Sequence, residues 1–179
     1  MVNKHLSIYV AIGWFIISST AFGQQIKGVY FGQRADSVQA LVASEVQSHY
    51  NSGGWLMKLN ARTIDFKGEI REVVLCKENV LIHNFDKGIN LCVHYVMSNG
   101  VLVAISTQYA NLSIAEIKNL FSPDRRNIGG YFFDSDYRHY SRLFVANNGL
   151  ATDEYRQTIW TELPLQVRQQ LEIMATGMH

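Results

Sequence analysis

A chain of 179 residues is long enough to bury a hydrophobic core of its own, and one domain is the default for this length. Sixteen Lys and Arg stand against 15 Asp and Glu, with no block of like charge. The cationic excess that neutralises phosphates or holds an anionic membrane surface is missing, so nucleic acid is excluded as an expected partner, and a protein or small molecule is favoured.

The chain opens on Lys4 and His5, continues through an apolar run from Leu6 to Ile17, and then places Ala21 and Gly23 where small residues precede a cleavage point. This pattern predicts a secretory signal peptide over residues 1–23 and a mature domain over 24–179. The apolar run is about 12 residues, short of the roughly 20 that a membrane-crossing helix needs, so no transmembrane segment is expected after cleavage. A periplasmic or extracellular location follows as the expectation.

Ile26 to Gly32 reads as a short extended lead-in, and Asp36 with Gln39 then matches a capping box at the start of a helix over 36–50. Val38, Leu41, Val42 and Val46 form its apolar stripe. From Trp55 to Thr107 the period changes to two, with candidate strands at Trp55–Leu59, Thr63–Phe66, Ile70–Cys76, Val80–Phe85, Ile89–Met97 and Val101–Thr107. Asn99-Gly100 between the last two is a strong hairpin signal, because both central turn residues need φ > 0. Ile89, Leu91, Val93, Tyr95 and Met97 should share one face, continued by Val101, Val103 and Ile105.

A second capping box at Ser113 and Glu116 opens a helix over 113–121, which must end before Pro123. Residues 122–130 read as loop. Tyr131–Phe133 and Arg138–Ala146 form a further hairpin around Asp134-Ser135-Asp136, and a last helix covers 164–175 with Leu163, Val167, Leu171 and Met174 as its stripe. The predicted fold class is α+β: an antiparallel β-meander covered by two or three helices.

Gly28 and Gly32 lead directly into the first helix, and an aromatic and apolar strand through Tyr95 reaches Asn99-Gly100 with Leu102 and Ile105 beyond it. Over residues 27–107 this order resembles the small periplasmic domains of the outer-membrane assembly lipoprotein type and the related β-lactamase-inhibitor-like domains. The resemblance implies a non-catalytic module that binds another protein through its sheet face or loops. The chain departs from the lipoproteins in having no Cys at the predicted mature start, and its 55–85 region is longer.

Catalytic and metal-binding patterns are weak. Cys76, His83, Cys92 and His94 include one ligand pair two residues apart, but their spacing follows no structural zinc pattern. There is no nucleophile-elbow serine and no His-Glu-x-x-His, and the carboxylate pairs Asp134/Asp136 and Asp153/Glu154 read as turn residues. Asn111-Leu112-Ser113 fits a glycosylation sequon, although Ser113 is better used as a helix cap. No catalytic residue, metal or cofactor is therefore expected. Two cysteines in an exported chain raise the question of a disulfide. If Val80–Phe85 is a separate strand, it lies between them; if a single bent strand turns at Asp86-Lys87-Gly88, Cys92 faces Leu81 and Cys76 faces Met97. Free thiols are the expectation from either register.

The most distinctive composition is Tyr131 to Phe144, where aromatic residues alternate with His and Arg. Such interleaving suits a protein-recognition surface, with Tyr137, Arg138, Tyr140 and Arg142 as candidate partner-binding residues. Alternate residues of the hairpin could equally cover the core. The functional expectation is an exported binding or envelope-assembly module. A hydrolase with a site assembled from distant residues, or a carrier of an apolar ligand beneath Tyr95, Met97 and Val103, are its alternatives.

Overall fold

The computed structural model describes residues 26–51, 58–66, 70–80, 88–121 and 123–176; the predicted leader and the Val80–Phe85 strand beyond Val80 lie outside them. Its centre is an eight-stranded antiparallel sheet in the order β1-β2-β3-β4-β8-β7-β6-β5. The strands are β1 (Lys58–Phe66), β2 (Ile70–Val80), β3 (Ile89–Ser98), β4 (Val101–Tyr109), β5 (Arg126–Ile128), β6 (Tyr131–Phe133), β7 (His139–Val145) and β8 (Ala151–Gln157). The helices are α1 (Ala35–Asn51), α2 (Ile114–Lys118) and α3 (Leu165–Thr176). A helix followed by a four-stranded meander thus occurs twice, and the two meanders meet where β4 pairs with β8.

The predicted stripe of β3 is the centre of the core: Ile89, Leu91, Val93, Tyr95 and Met97 are all buried, together with Val38 and Val42 of α1 and Ile117 of α2. Each such side chain stabilises the fold by roughly 1.5–3 kcal/mol, an upper figure because the unfolded chain already hides some surface. β4 departs from the expected alternation. The register slips between Val96↔Ala104 and Met97↔Leu102, so Leu102 turns into the core while Val103 is exposed. One extra residue in one strand of a pair does this. Asn99 and Gly100 take φ 49° and 77°, as the hairpin requires.

The lead-in is tied to the free edge at the start of β4, where Gly32 N–H donates to Leu102 C=O and Leu102 N–H to Gln33 C=O, both at 2.9 Å. Gly28 and Gly32 adopt φ 92° and 81°, a region costly for residues with a Cβ. Their bends bring Phe31 across to the second half, 5.5 Å from the His139 ring and 5.6 Å from that of Tyr155.

Two segments read as non-strand are strands. Residues 126–128, within the expected loop, form β5, and Ala151–Gln157 forms β8, the strand that joins the halves. The disulfide expectation is also overturned: Cys76 and Cys92 are bridged, with Cα atoms 4.0 Å apart. β2 runs to Val80 and β3 begins at Ile89, with an irregularity between Lys77 and Val80, so the turn assumed at residues 86–88 does not set the register. Cys76 and Cys92 therefore sit directly opposite each other, within bridging distance.

The capping box of α2 is present: Ser113 Oγ accepts from the Glu116 N–H at 3.3 Å, and Glu116 Oε2 accepts from the Ser113 N–H at 2.7 Å. Ser113→Ala is expected to cost about 1 kcal/mol, read as a shift in the urea midpoint at unchanged slope.

Candidate functional site

The alternation of strand side chains gives the sheet two unlike faces. One carries the core and is covered by α1 and α2. On the other, α3 packs only at the β5–β7 end, over Ile128, Phe133 and Tyr140 with Leu163, Val167 and Leu171. The rest of that second face presents Cys76 from β2, Cys92, His94 and Val96 from β3, Ser106 and Gln108 from β4, and Glu154 and Arg156 from β8, set around Val74, Ala104 and Thr152, which are fully buried on the same face. The first eight of these side chains are half-buried. No helix lies on this stretch among the described residues. His94 Nδ1 is 2.9 Å from Glu72 Oε2, and Arg156 Nε donates to Glu154 Oε1 at 2.9 Å, so both carboxylates are engaged within the surface.

The candidate partner-binding residues do not form one patch. Tyr140 is buried beneath α3, its ring 5.7 Å from that of Phe133. Arg138 and Arg142 are exposed, and Arg142 lies 5.3 Å from the centre of the Tyr131 ring. Tyr137, half-buried at φ 59°, accepts a hydrogen bond from Arg126 Nη1. Tyr131, Phe133, Tyr137 and Tyr140 of this stretch supply or pack against the second core, and the arginines flank it.

Behind β7 and β8, on the α2 side, lies a buried polar network that the sequence did not reveal. Arg125, with a side chain 3% exposed, stacks 4.6 Å from the Phe121 ring. Its Nη1 donates to Ser141 Oγ at 2.6 Å, and its Nη2 stands 3.4 Å from Asp134 Oδ1. Ser141 in turn hydrogen-bonds Asp153, which is fully buried. Tyr155 donates to Asp134 Oδ2 at 2.7 Å, and His139 Nδ1 is 3.6 Å from the same oxygen. Burial pushes the Asp153 carboxyl up to about 7, against the opposing pull of Ser141 and Arg125. Asp153 and Glu154, read as a turn, are thus neighbours in a central strand and face opposite sides of the sheet. The available signal was the alternation Ala151, Asp153, Tyr155 flanked by strand formers; an acidic residue at its centre hid it.

The network offers no metal centre. Asp134, Asp136 and His139 place ligand atoms within 4.8 Å of one another, yet Asp134 is already engaged by Tyr155 and Arg125, and Asp136 Oδ1 accepts from the Arg138 N–H at 3.0 Å. A guanidinium beside the first carboxylate opposes a cation. Cys76 and Cys92 are bridged and cannot ligate as thiolates, and His83 lies outside the described residues. Nor does the network read as a nucleophile with its base: Ser141 engages Arg125 and Asp153, while His139 Nδ1 is directed at Asp134. For ligand carriage, Tyr95 and Met97 pack into the core under α1 whereas Val103 is exposed, so the three do not line one space. Asn111 of the sequon is engaged at both ends of its amide, donating to Gly88 C=O at 2.8 Å and accepting from the Asn90 N–H at 3.1 Å.

None of the family models, curated proteins or solved structures compared with this chain matches it.

Proposed function

We propose that the protein is an exported, non-catalytic binding module of the periplasm or cell exterior, which holds a protein partner on the part of its second sheet face that none of the described helices covers. The observation that carries this reading is the contrast between the two faces. α1 and α2 bury one of them, while on the other the half-buried side chains of β2, β3, β4 and β8 close over Val74, Ala104 and Thr152 and form a broad surface that no described helix covers. A sheet face of several strands, mixed in polarity and with its charges already paired, suits a protein surface better than a small ligand, which needs a concave apolar site. The resemblance over residues 27–107 points the same way, since that span builds α1 and the first meander.

Ser106→Arg with Gln108→Arg adds two long cations to the middle of this face without touching the core. Affinity capture with crosslinking in the exporting cell is expected to lose the partner in this variant and to keep it in Arg138→Ala/Arg142→Ala. Loss in the second variant alone would move the surface to the β7 flank and overturn the assignment.

A further inference from the structure

The seam between the two halves is short: β4 and β8 share only the pairs from Ile105↔Tyr155 to Tyr109↔Ala151. Its middle pair is Thr107↔Asp153, both fully buried. We propose that this seam is a proton-operated joint, closed when Asp153 carries a proton and loosened when it does not.

The argument starts from the charges packed around it. Asp153 is faced by Tyr109 of β4, by Ser141 of β7, by Asp134 just after β6 and by Arg125 before β5, while His139 of β7 lies against Asp134, with Asp136 in the turn beyond. Glu154 and Tyr155 are its neighbours on β8. From α2, Glu116 is held at the Ser113 cap and Lys118 lies over the Phe132 ring. Two carboxylates, Asp134 and Asp153, therefore share one buried guanidinium: Arg125 reaches Asp134 at 3.4 Å and is linked to Asp153 through Ser141. When both are ionised, Asp134 and Asp153 set two negative charges beside one fixed positive charge, and His139, 3.6 Å from Asp134, adds a second only when protonated. A charge in that position is costly in a low-dielectric site, and a proton removes it.

The sign follows from linkage. Burial raises the Asp153 carboxyl from 3.8 to about 7, so between those values the folded chain holds a proton that the unfolded chain has released. Stability at the joint is full below the lower value and is lost as pH rises through the upper one. The far side of the same strands carries Ser106, Gln108 and Glu154 on the open face. Partner binding there should weaken with rising pH, a consequence that rests on the proposed role of that face; the joint itself is tested without a partner.

Amide hydrogen exchange of residues 105–109 and 151–155, corrected for the intrinsic rate, should be at least tenfold slower at pH 5.5 than at pH 8 in the wild-type chain. The amides of β2 and β3 should change less, and Asp153→Asn should flatten the difference. The same dependence in Asp153→Asn, or an equal change in every strand, overturns the joint. Should that variant fail to fold, the carboxyl carbon of Asp153 in the wild-type chain, followed by NMR, decides: a midpoint near neutrality supports the joint, and one below pH 5 refutes it.

Discussion

Arg125→Ala should destabilise the chain by about 3–5 kcal/mol, the range seen when one partner of a buried ion pair is removed. The guanidinium balances Asp134, supports Ser141 and fills the space between the Phe121 and Tyr155 rings, 4.6 and 5.5 Å away. Its deletion leaves two carboxylates without their cation and a gap beside two aromatic rings, and the costs add. Chemical unfolding at pH 7.5 measures the effect. Acid should restore part of the loss, because protonation removes the charges that Arg125 balanced. A cost under about 1 kcal/mol, or no recovery in acid, would contradict the buried network.

Removing the Cys76–Cys92 bridge should cost about 3 kcal/mol, the chain-entropy figure for a closed loop of this length. The two residues sit opposite each other in a ladder that runs from Ile70↔Ser98 to Val80↔Ile89. That ladder keeps its hydrogen bonds without the bridge. Cys76→Ser/Cys92→Ser is therefore expected to fold to the same sheet, with its melting temperature lowered by roughly 6–12 °C for a domain of this size. An unchanged melting temperature would mean that pairing alone restricts the unfolded chain as strongly. A variant that fails to fold at all would show that the bridge sets the register.

Much of this architecture is legible in the residues because local chemistry and tertiary need agree. The β3 stripe from Ile89 to Met97, the Asn99-Gly100 turn and the Ser113–Glu116 box each specify their own geometry over a few positions, and each occurs as expected. What could not be read depends on partners distant in the chain. Val103 leaves the core because β4 slips by one residue against β3, and no local signal announces a bulge there. Cys76 meets Cys92 because β2 pairs directly with β3 in the register Leu75↔Val93, Cys76↔Cys92, Lys77↔Leu91, whereas a tight turn at Asp86-Lys87-Gly88 would have set another. β8 was hidden for a chemical reason: a strand with Asp and Glu at its centre reads as solvated until Arg125 and Ser141, 28 and 12 residues earlier, are brought to it.

The same reasoning divides the Tyr131–Phe144 stretch. Its alternation correctly marks strands, but alternation cannot say which face α3 will cover, and Tyr140 falls beneath the helix. The recognition surface proposed here lies instead on strands whose outward residues are unremarkable in composition. Cys92, His94, Ser106 and Gln108 share that surface only through the register of β3 against β4.

The most direct measurement is site-specific photocrosslinking from the proposed binding face in the cell that makes the protein. A photoreactive residue at Ser106 is compared with one at Ser48, exposed on α1 on the opposite side of the sheet. The account predicts one dominant crosslinked protein from position 106 and little from position 48. Crosslinks from position 48 with none from 106, or none from either in a chain shown to be folded and exported, would contradict the open sheet face as the partner's seat.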